Sequence, residues 1–219
     1  KSLAKQFASE GYFVIIASRS KEKLHSIRDD IESKGHACLD IRVDLSIPGD
    51  IKKFADRVLE LGPVSVLINN AGIAHFGPIE SIPIESWNEQ ININLRAVFL
   101  LSQAFIPSMK KINKGSIVFI NSVAGRQPFN ESSVYVTSKF GLRGMANSFR
   151  EELRQHNIKV ISIFPGATNT PFWDKFENNL PTNEMLNACD LAKMISHSIN
   201  TPGNLTVEEM IIRRVEGDF

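Results

Sequence analysis

Tyr12-Phe13-Val14-Ile15-Ile16-Ala17-Ser18-Arg19 is the stretch that decides how this chain folds. Its unbroken apolar run, with no polar alternation, reads as a strand covered on both faces, the pattern of a parallel sheet under helices. Upstream, Leu3, Ala4, Phe7 and Ala8 form a helical stripe that stops at Gly11, a residue suited to the position just past a helix. Downstream, Ser18-Arg19-Ser20 leads into a second helix over 21–34, with Leu24, Ile27 and Ile31 inward and Gly35 closing it. A buried strand between two helices is the building block of a βαβ chain.

The rest of the sequence repeats that block. A strand over 36–43 precedes a helix over 51–61, ended by Gly62-Pro63. Val64-Ser65-Val66-Leu67-Ile68 is the next strand and runs into Asn69-Asn70-Ala71-Gly72. A long amphipathic helix over 84–111, a strand over 116–121 and a helix over 134–156 follow. A strand over 159–164 ends at Pro165-Gly166, an irregular aromatic-bearing stretch covers 167–187, a helix lies near 190–199, and a last strand covers 206–213. Such alternation predicts an α/β fold, a doubly wound parallel sheet between layers of helices, in a single domain over 1–219. No internal repeat, low-complexity tract or interdomain linker interrupts it. Ligands in these sheets sit beyond the carboxyl ends of the strands, and the chemically unusual residues collect there.

Composition narrows the classes. The chain has 219 residues, 42% apolar and 22% charged, as soluble globular proteins do. A formal net charge of +1 gives no reason to expect nucleic acid or an anionic membrane as partner. Cys38 and Cys189 are too few for a disulfide scaffold, and the histidines form no i, i+4 pair, so no metal site is expected. No apolar run approaches the roughly 20 residues of a membrane span. A reduced, cytoplasmic setting and a small-molecule partner are the expectation.

Tyr135 and Lys139, in Ser132-Ser133-Val134-Tyr135-Val136-Thr137-Ser138-Lys139, fall one turn apart on a helix face. A phenol beside an ammonium suits general acid work, because a nearby cation favours phenolate. Alone the pair is a weak signal and reads by default as a helix surface contact. Gly72 lets backbone approach a ligand, with Ala71 keeping the wall low, although Asn- and Gly-rich sequence also makes ordinary turns. Ser122, directly after a strand, is placed to hydrogen-bond a carbonyl or to cap a turn. Asn94 is a poor helix former among Ile91, Ile93, Leu95 and Val98. Arg19 stands where an acid would bind the ribose 2′-hydroxyl of NAD and where an Arg accommodates the 2′-phosphate of NADP, which favours NADP over NAD.

Taken in order, Asn69-Asn70-Ala71-Gly72, Asn94, Ser122, Tyr135-x-x-x-Lys139 and Pro165-Gly166 through Thr168 and Thr170 resemble the motifs of the short-chain dehydrogenase/reductase family, in its single-domain branch. The resemblance covers the whole sequence and implies a three-layered Rossmann-type fold and NAD(P)-dependent oxidoreduction. It implies that Tyr135 protonates the carbonyl oxygen, that Lys139 lowers the Tyr135 pKa and holds the nicotinamide ribose, and that Ser122 polarises the carbonyl. Asn94 would hold a water relaying protons to Lys139, and Thr170 would bind the carboxamide. Asn70, Ala71 and Gly72 would line the cofactor, and Asp44 with Leu45 resembles the family's adenine-contacting pair.

One departure stands out. The family's first strand and its Thr-Gly-x-x-x-Gly-x-Gly loop are absent, and Lys1-Ser2-Leu3-Ala4 reads as the helix that follows that loop. The missing strand belongs between the Tyr12 and Val64 strands, so two half-sheets with unpaired inner edges are expected here. The natural protein is expected to carry roughly 15–20 more residues ahead of Lys1.

The substrate lid is expected over about 167–187. There Phe172, Trp173 and Phe176, with Phe76 and Phe129 at other strand ends, either face an apolar or aromatic substrate or simply pack the lid. Arg126 and Lys175 are the nearby cations. Local runs such as Ala74-His75-Phe76-Gly77, Ser138-Lys139-Phe140-Gly141, Thr170-Pro171-Phe172-Trp173 and Val207-Glu208-Glu209-Met210-Ile211-Ile212-Arg213 resemble bacterial sepiapterin-reductase-like members. A 3-oxoacyl carrier-protein reductase is the alternative enzyme, and a non-catalytic nucleotide-binding scaffold the alternative class. An extended-branch epimerase needs a larger C-terminal domain. The helices over 84–111 and 134–156 are the family's usual oligomer surfaces, so a homodimer or homotetramer is expected.

Overall fold

The computed structural model describes residues 1–176, 181–202 and 204–217. The elements run α1 (Ser2–Ser9), β1 (Val14–Ser18), α2 (Lys21–Glu32), β2 (Cys38–Arg42), α3 (Pro48–Leu61) and β3 (Val66–Asn69). Then come α4 (Ile84–Ile91), α5 (Ala97–Lys111), β4 (Gly115–Ile120), α6 (Ser133–Leu153), β5 (Ile158–Pro165), α7 (Ala188–Ile199) and β6 (Glu209–Ile212). Local chemistry sets the boundaries. Ser20 caps α2 by accepting from the Lys23 N–H, and Asn187 caps α7 by accepting from Cys189 and Asp190. Gly11 and Gly35 adopt φ of +87° and +80° just past α1 and α2, a conformation that costs glycine little.

Every described strand pair is parallel. β1 and β2 form a two-stranded sheet, and β3, β4, β5 and β6 a four-stranded one in that order. These are the two half-sheets the sequence predicts. The central strands show why unbroken apolar sequence belongs to a doubly covered sheet. Along β4, Ile117 and Phe119 join the core under α3, α5 and α6, while Val118 between them joins the opposite core against α1 and α7. β5 divides likewise, with Ile158 and Val160 on one face and Ile161 and Ile163 on the other.

Three elements differ from the sequence reading. β1 is only partly buried and its Ala17 is exposed, because the neighbouring layers cover it less fully than the central strands. The last strand is short, Glu209–Ile212. The long helix is not continuously α: a π turn, Asn92–Arg96, separates α4 from α5. Such turns cluster at functional sites, since the extra residue re-aims a side chain. Here it carries Asn94.

Candidate active site

The carboxyl ends of β3, β4 and β5 open onto one cleft of about 1390 Å³, larger than the roughly 300–1,000 Å³ of most single-ligand pockets. Tyr135 and Lys139 reach it from the first turns of α6, and Ser122 from the end of β4. Ser122 has extended backbone and opens a single helical turn, Val123–Gly125, its hydroxyl accepting from the Ala124 N–H at 3.1 Å. The turn is held by a residue the sequence reading passed over. Buried Asn121 accepts from the Ser122 N–H at 2.9 Å and donates to the Lys139 carbonyl at 3.1 Å, tying the end of β4 to α6. Gly125 makes room for it, since a Cβ there would collide with the Asn121 carboxamide. The available signal was an amide beside a strand-end serine, with glycine four residues on.

Lys139 is 5% exposed and donates to the Ile120 carbonyl at 3.0 Å, with its ammonium 5.6 Å from the Tyr135 ring centroid. Burial draws its pKa down to about 8. Burial pushes the Tyr135 phenol up to about 12, and a hydrogen bond with Ser122 only partly opposes this. The expectation that Lys139 depresses the phenol is therefore not met in this structure. The ammonium faces the ring and a backbone carbonyl, and removal from water raises the cost of phenolate further. At neutral pH the phenol holds its proton, the form an acid needs.

Asn94 is buried and fully engaged. Its Oδ1 accepts from the Ile73 N–H at 2.9 Å, and its Nδ2 donates to the Ile73 carbonyl and to Ser138 Oγ, both at 2.9 Å. Both amide protons are thus committed, which leaves the second lone pair of Oδ1 for a water. Gly72 passes close by: a Cβ on it would lie 3.5 Å from Asn94 Oδ1 and 3.7 Å from Lys139 Nζ. Asn70, Ala71 and Gly72 line the cleft, as do Pro165, Gly166, Thr168 and Thr170 after β5. Thr168 Oγ1 donates to the Gly166 carbonyl at 3.0 Å, and the Thr168 carbonyl accepts from the Trp173 indole at 3.0 Å, so the loop is braced on itself. The amino end of α1 also opens onto the cleft, an end whose dipole favours anions.

Arg19 and Asp44 lie apart from that cleft, at the ends of β1 and β2. Asp44 Oδ1 accepts from the Ser46 N–H at 2.9 Å and from its hydroxyl at 2.7 Å, which holds its carboxyl below the usual range, with Arg19 and Arg42 adding to the effect. Arg42, which the sequence reading did not single out, donates to the Arg19 carbonyl at 3.2 Å. Leu45 is partly buried against the core under α3 and α5. Arg126 pairs with Glu209 at 2.7 Å, whereas Lys175 lines the cleft.

The aromatic residues form a connected wall. Phe76 meets Tyr135 edge-on at 5.5 Å between centroids and Phe176 at 5.1 Å, and Phe172 lies 6.3 Å from Tyr135 and 5.1 Å from Trp173. Of the lid expected over 167–187, residues 177–180 lie outside those described. No group of metal-ligating side chains and no helix long and apolar enough to cross a membrane occurs among the described residues.

Comparison with known proteins agrees with this geometry. Residues 1–181 match the family model of short chain dehydrogenases. A sepiapterin reductase of Chlorobaculum tepidum is 32% identical over 207 residues, covering 94% of this chain and 84% of the relative. A 3-oxoacyl-(acyl-carrier-protein) reductase of Thermotoga maritima is 34% identical over 170 residues, 77% of this chain and 69% of the relative. Among solved structures, a metagenomic short-chain oxidoreductase in complex with NADP is 30% identical with a TM-score of 0.86, covering 98% of this chain and 90% of that one. An alcohol dehydrogenase from Thermococcus sibiricus complexed with 5-hydroxy-NADP is 25% identical with a TM-score of 0.90, over 98% of this chain and 91% of that one. With its doubly covered parallel sheet, its strand-end cleft and its Tyr135–Lys139 helix, the chain belongs to the short-chain dehydrogenase family, an oxidoreductase fold of the Rossmann type.

Proposed function

We propose that the protein is an NADP-dependent reductase that converts a ketone of a small, partly apolar or aromatic substrate to an alcohol, with Tyr135 as the acid. The observation carrying this reading is the convergence of the Tyr135 phenol, the Ser122 hydroxyl and the buried Lys139 ammonium on one cleft with an aromatic wall. NADPH, when bound, supplies the hydride. Ser122 orients the substrate carbonyl, and Tyr135, protonated up to about pH 12, delivers its proton to the oxygen that becomes the alcohol. Lys139 holds the ribose and stabilises the phenolate left behind. Asn94 fixes the wall at Ile73 and holds the water that refills the proton.

Asn70, Ala71, Gly72, Pro165, Gly166, Thr168 and Thr170 hold the nicotinamide half, and Asp44 and Leu45 hold the adenine. Arg19, with Arg42 beside it and neither in a salt bridge among the described residues, recognises the 2′-phosphate. The NADP in the 30%-identical solved structure and the 5-hydroxy-NADP in the 25%-identical one support that choice of nucleotide. The aromatic wall and the likeness to a sepiapterin reductase favour a pterin- or diketone-type substrate. The assembly is a homodimer or homotetramer through α5 and α6, which expose Phe99 and Phe140.

The test is NADPH oxidation with sepiapterin, small diketones and acetoacetyl thioesters side by side, with Tyr135→Phe as control. Turnover of the ketones with loss in Tyr135→Phe is expected. Turnover of the thioester alone reassigns the substrate to carrier-bound acyl chains, and turnover of none overturns the reading. A sedimentation mass of one protomer overturns the assembly.

A further inference from the structure

Gln90 is a fully buried polar residue of the core whose amide is only half satisfied. It lies in α4, 0% exposed, one turn ahead of Asn94. Its Oε1 accepts from the His75 N–H at 2.6 Å, which fixes the orientation of the amide. The Nε2 that this orientation leaves behind has no hydrogen-bond partner among the described residues. Burying an unpaired amide is unfavourable, and an apolar side chain of similar size would avoid that cost. What the amide secures in return is the path of the 73–76 loop. Asn94 grips Ile73 through both backbone groups, Gln90 grips His75, and Lys175 from the lid donates to the Ala74 carbonyl at 3.0 Å. Glu89, next to Gln90, holds the His75 ring at 2.9 Å. The loop then delivers Phe76, whose ring meets Tyr135 edge-on at 5.5 Å and Phe176 at 5.1 Å.

We infer that Gln90 is a positioning residue for substrate selection. Through the His75 backbone it sets the Phe76 ring, and so the width of the aromatic slot beside Tyr135, with Asn94 as the second jaw of the same clamp. It touches neither substrate nor cofactor. The inference rests on the reductase reading and narrows it. A rigid slot framed by Phe76, Phe172 and Phe176 favours flat, conjugated ketones over small aliphatic ones, because a fixed ring face rewards only a substrate that fills it.

The test compares kcat and KM of wild type, Gln90→Glu, Gln90→Leu, Gln90→Asn and Phe76→Leu with one flat aromatic diketone, 1-phenyl-1,2-propanedione, and one small aliphatic diketone, 2,3-butanedione. Gln90→Leu cannot accept from His75 and should raise KM for the aromatic ketone about tenfold, with kcat/KM for the aliphatic one within about twofold. Gln90→Glu keeps the acceptor and should restore the aromatic KM. Phe76→Leu should raise the aromatic KM at least as much, and Gln90→Asn, one methylene too short to reach His75, should repeat the Gln90→Leu split, which keeps the idea testable if Gln90→Leu folds poorly. Equal losses on both substrates, no loss on either, or no rescue by Gln90→Glu would overturn it. Failure of wild type to reduce either ketone is a different outcome and removes the reductase reading beneath it.

Discussion

The four-stranded and two-stranded sheets start from similar apolar strands and end in different states. β5 is buried along nearly its whole length between two cores, whereas β1 is only partly buried and exposes Ala17. The residues at their carboxyl ends follow suit. At the four-stranded sheet, Lys139, Asn94 and Asn121 are buried and held by backbone partners. At the two-stranded sheet, Arg19 and Arg42 are exposed and Asp44 is held by its own turn. The lesson concerns electrostatics. Buried groups have pKa values governed by burial, while exposed ones act as screened charges. Proton chemistry suits the first setting and recognition of a phosphate the second.

The largest effect that would sharpen this contrast is on chemistry. Tyr135→Phe should lower kcat/KM by roughly 10²–10⁴-fold, the range for a lost general acid, while cofactor fluorescence shows NADPH still bound. Unchanged turnover would take proton transfer away from the buried end. Next is stability. Ile161→Ala, in the doubly covered β5, should cost about 2–5 kcal/mol in chemical denaturation, and Ile15→Ala in β1 no more than the low end of that range. Equal losses would mean that the two sheets are equally covered.

Arg19→Ala should weaken NADPH binding about tenfold or more, as loss of a charged hydrogen bond does, and leave NADH unchanged. Parallel losses for both nucleotides would remove the exposed end from phosphate recognition. The mildest effect is on pH. Lys139 loses its charge above about pH 8, so kcat/KM should fall on the alkaline side there, long before Tyr135 ionises. The folded state releases this lysine proton near pH 8 and the unfolded state holds it to the ordinary value of 10.5, so stability from Lys139 rises with pH between them. A flat activity profile up to pH 10 would show that the ammonium is not needed as a charge.

Much of the fold and site was legible because it is local and periodic. Apolar runs, capping residues and glycines marked the elements, and the polar residues at the ends of β3, β4 and β5 marked one mouth. Asn94 was legible as an anomaly, an amide in an apolar helical setting, and the π turn beneath it was not. Asn121 and Gln90 escaped notice because their importance lies in partners on other elements, the Lys139 carbonyl and the His75 N–H.

From its sequence alone, then, this chain is a parallel α/β protein with a phenol and an amine one helical turn apart at the carboxyl ends of its strands. Periodicity and the order of residues require no more than that. Only the tertiary structure decided which groups lose water. It turned the expected depressed Tyr135 pKa into a raised one, committed the Asn94 amide to Ile73 and Ser138, and joined Gln90 through His75 and Phe76 to the Tyr135 ring. Desolvation depends on everything packed around a group, and no spacing along a chain records it.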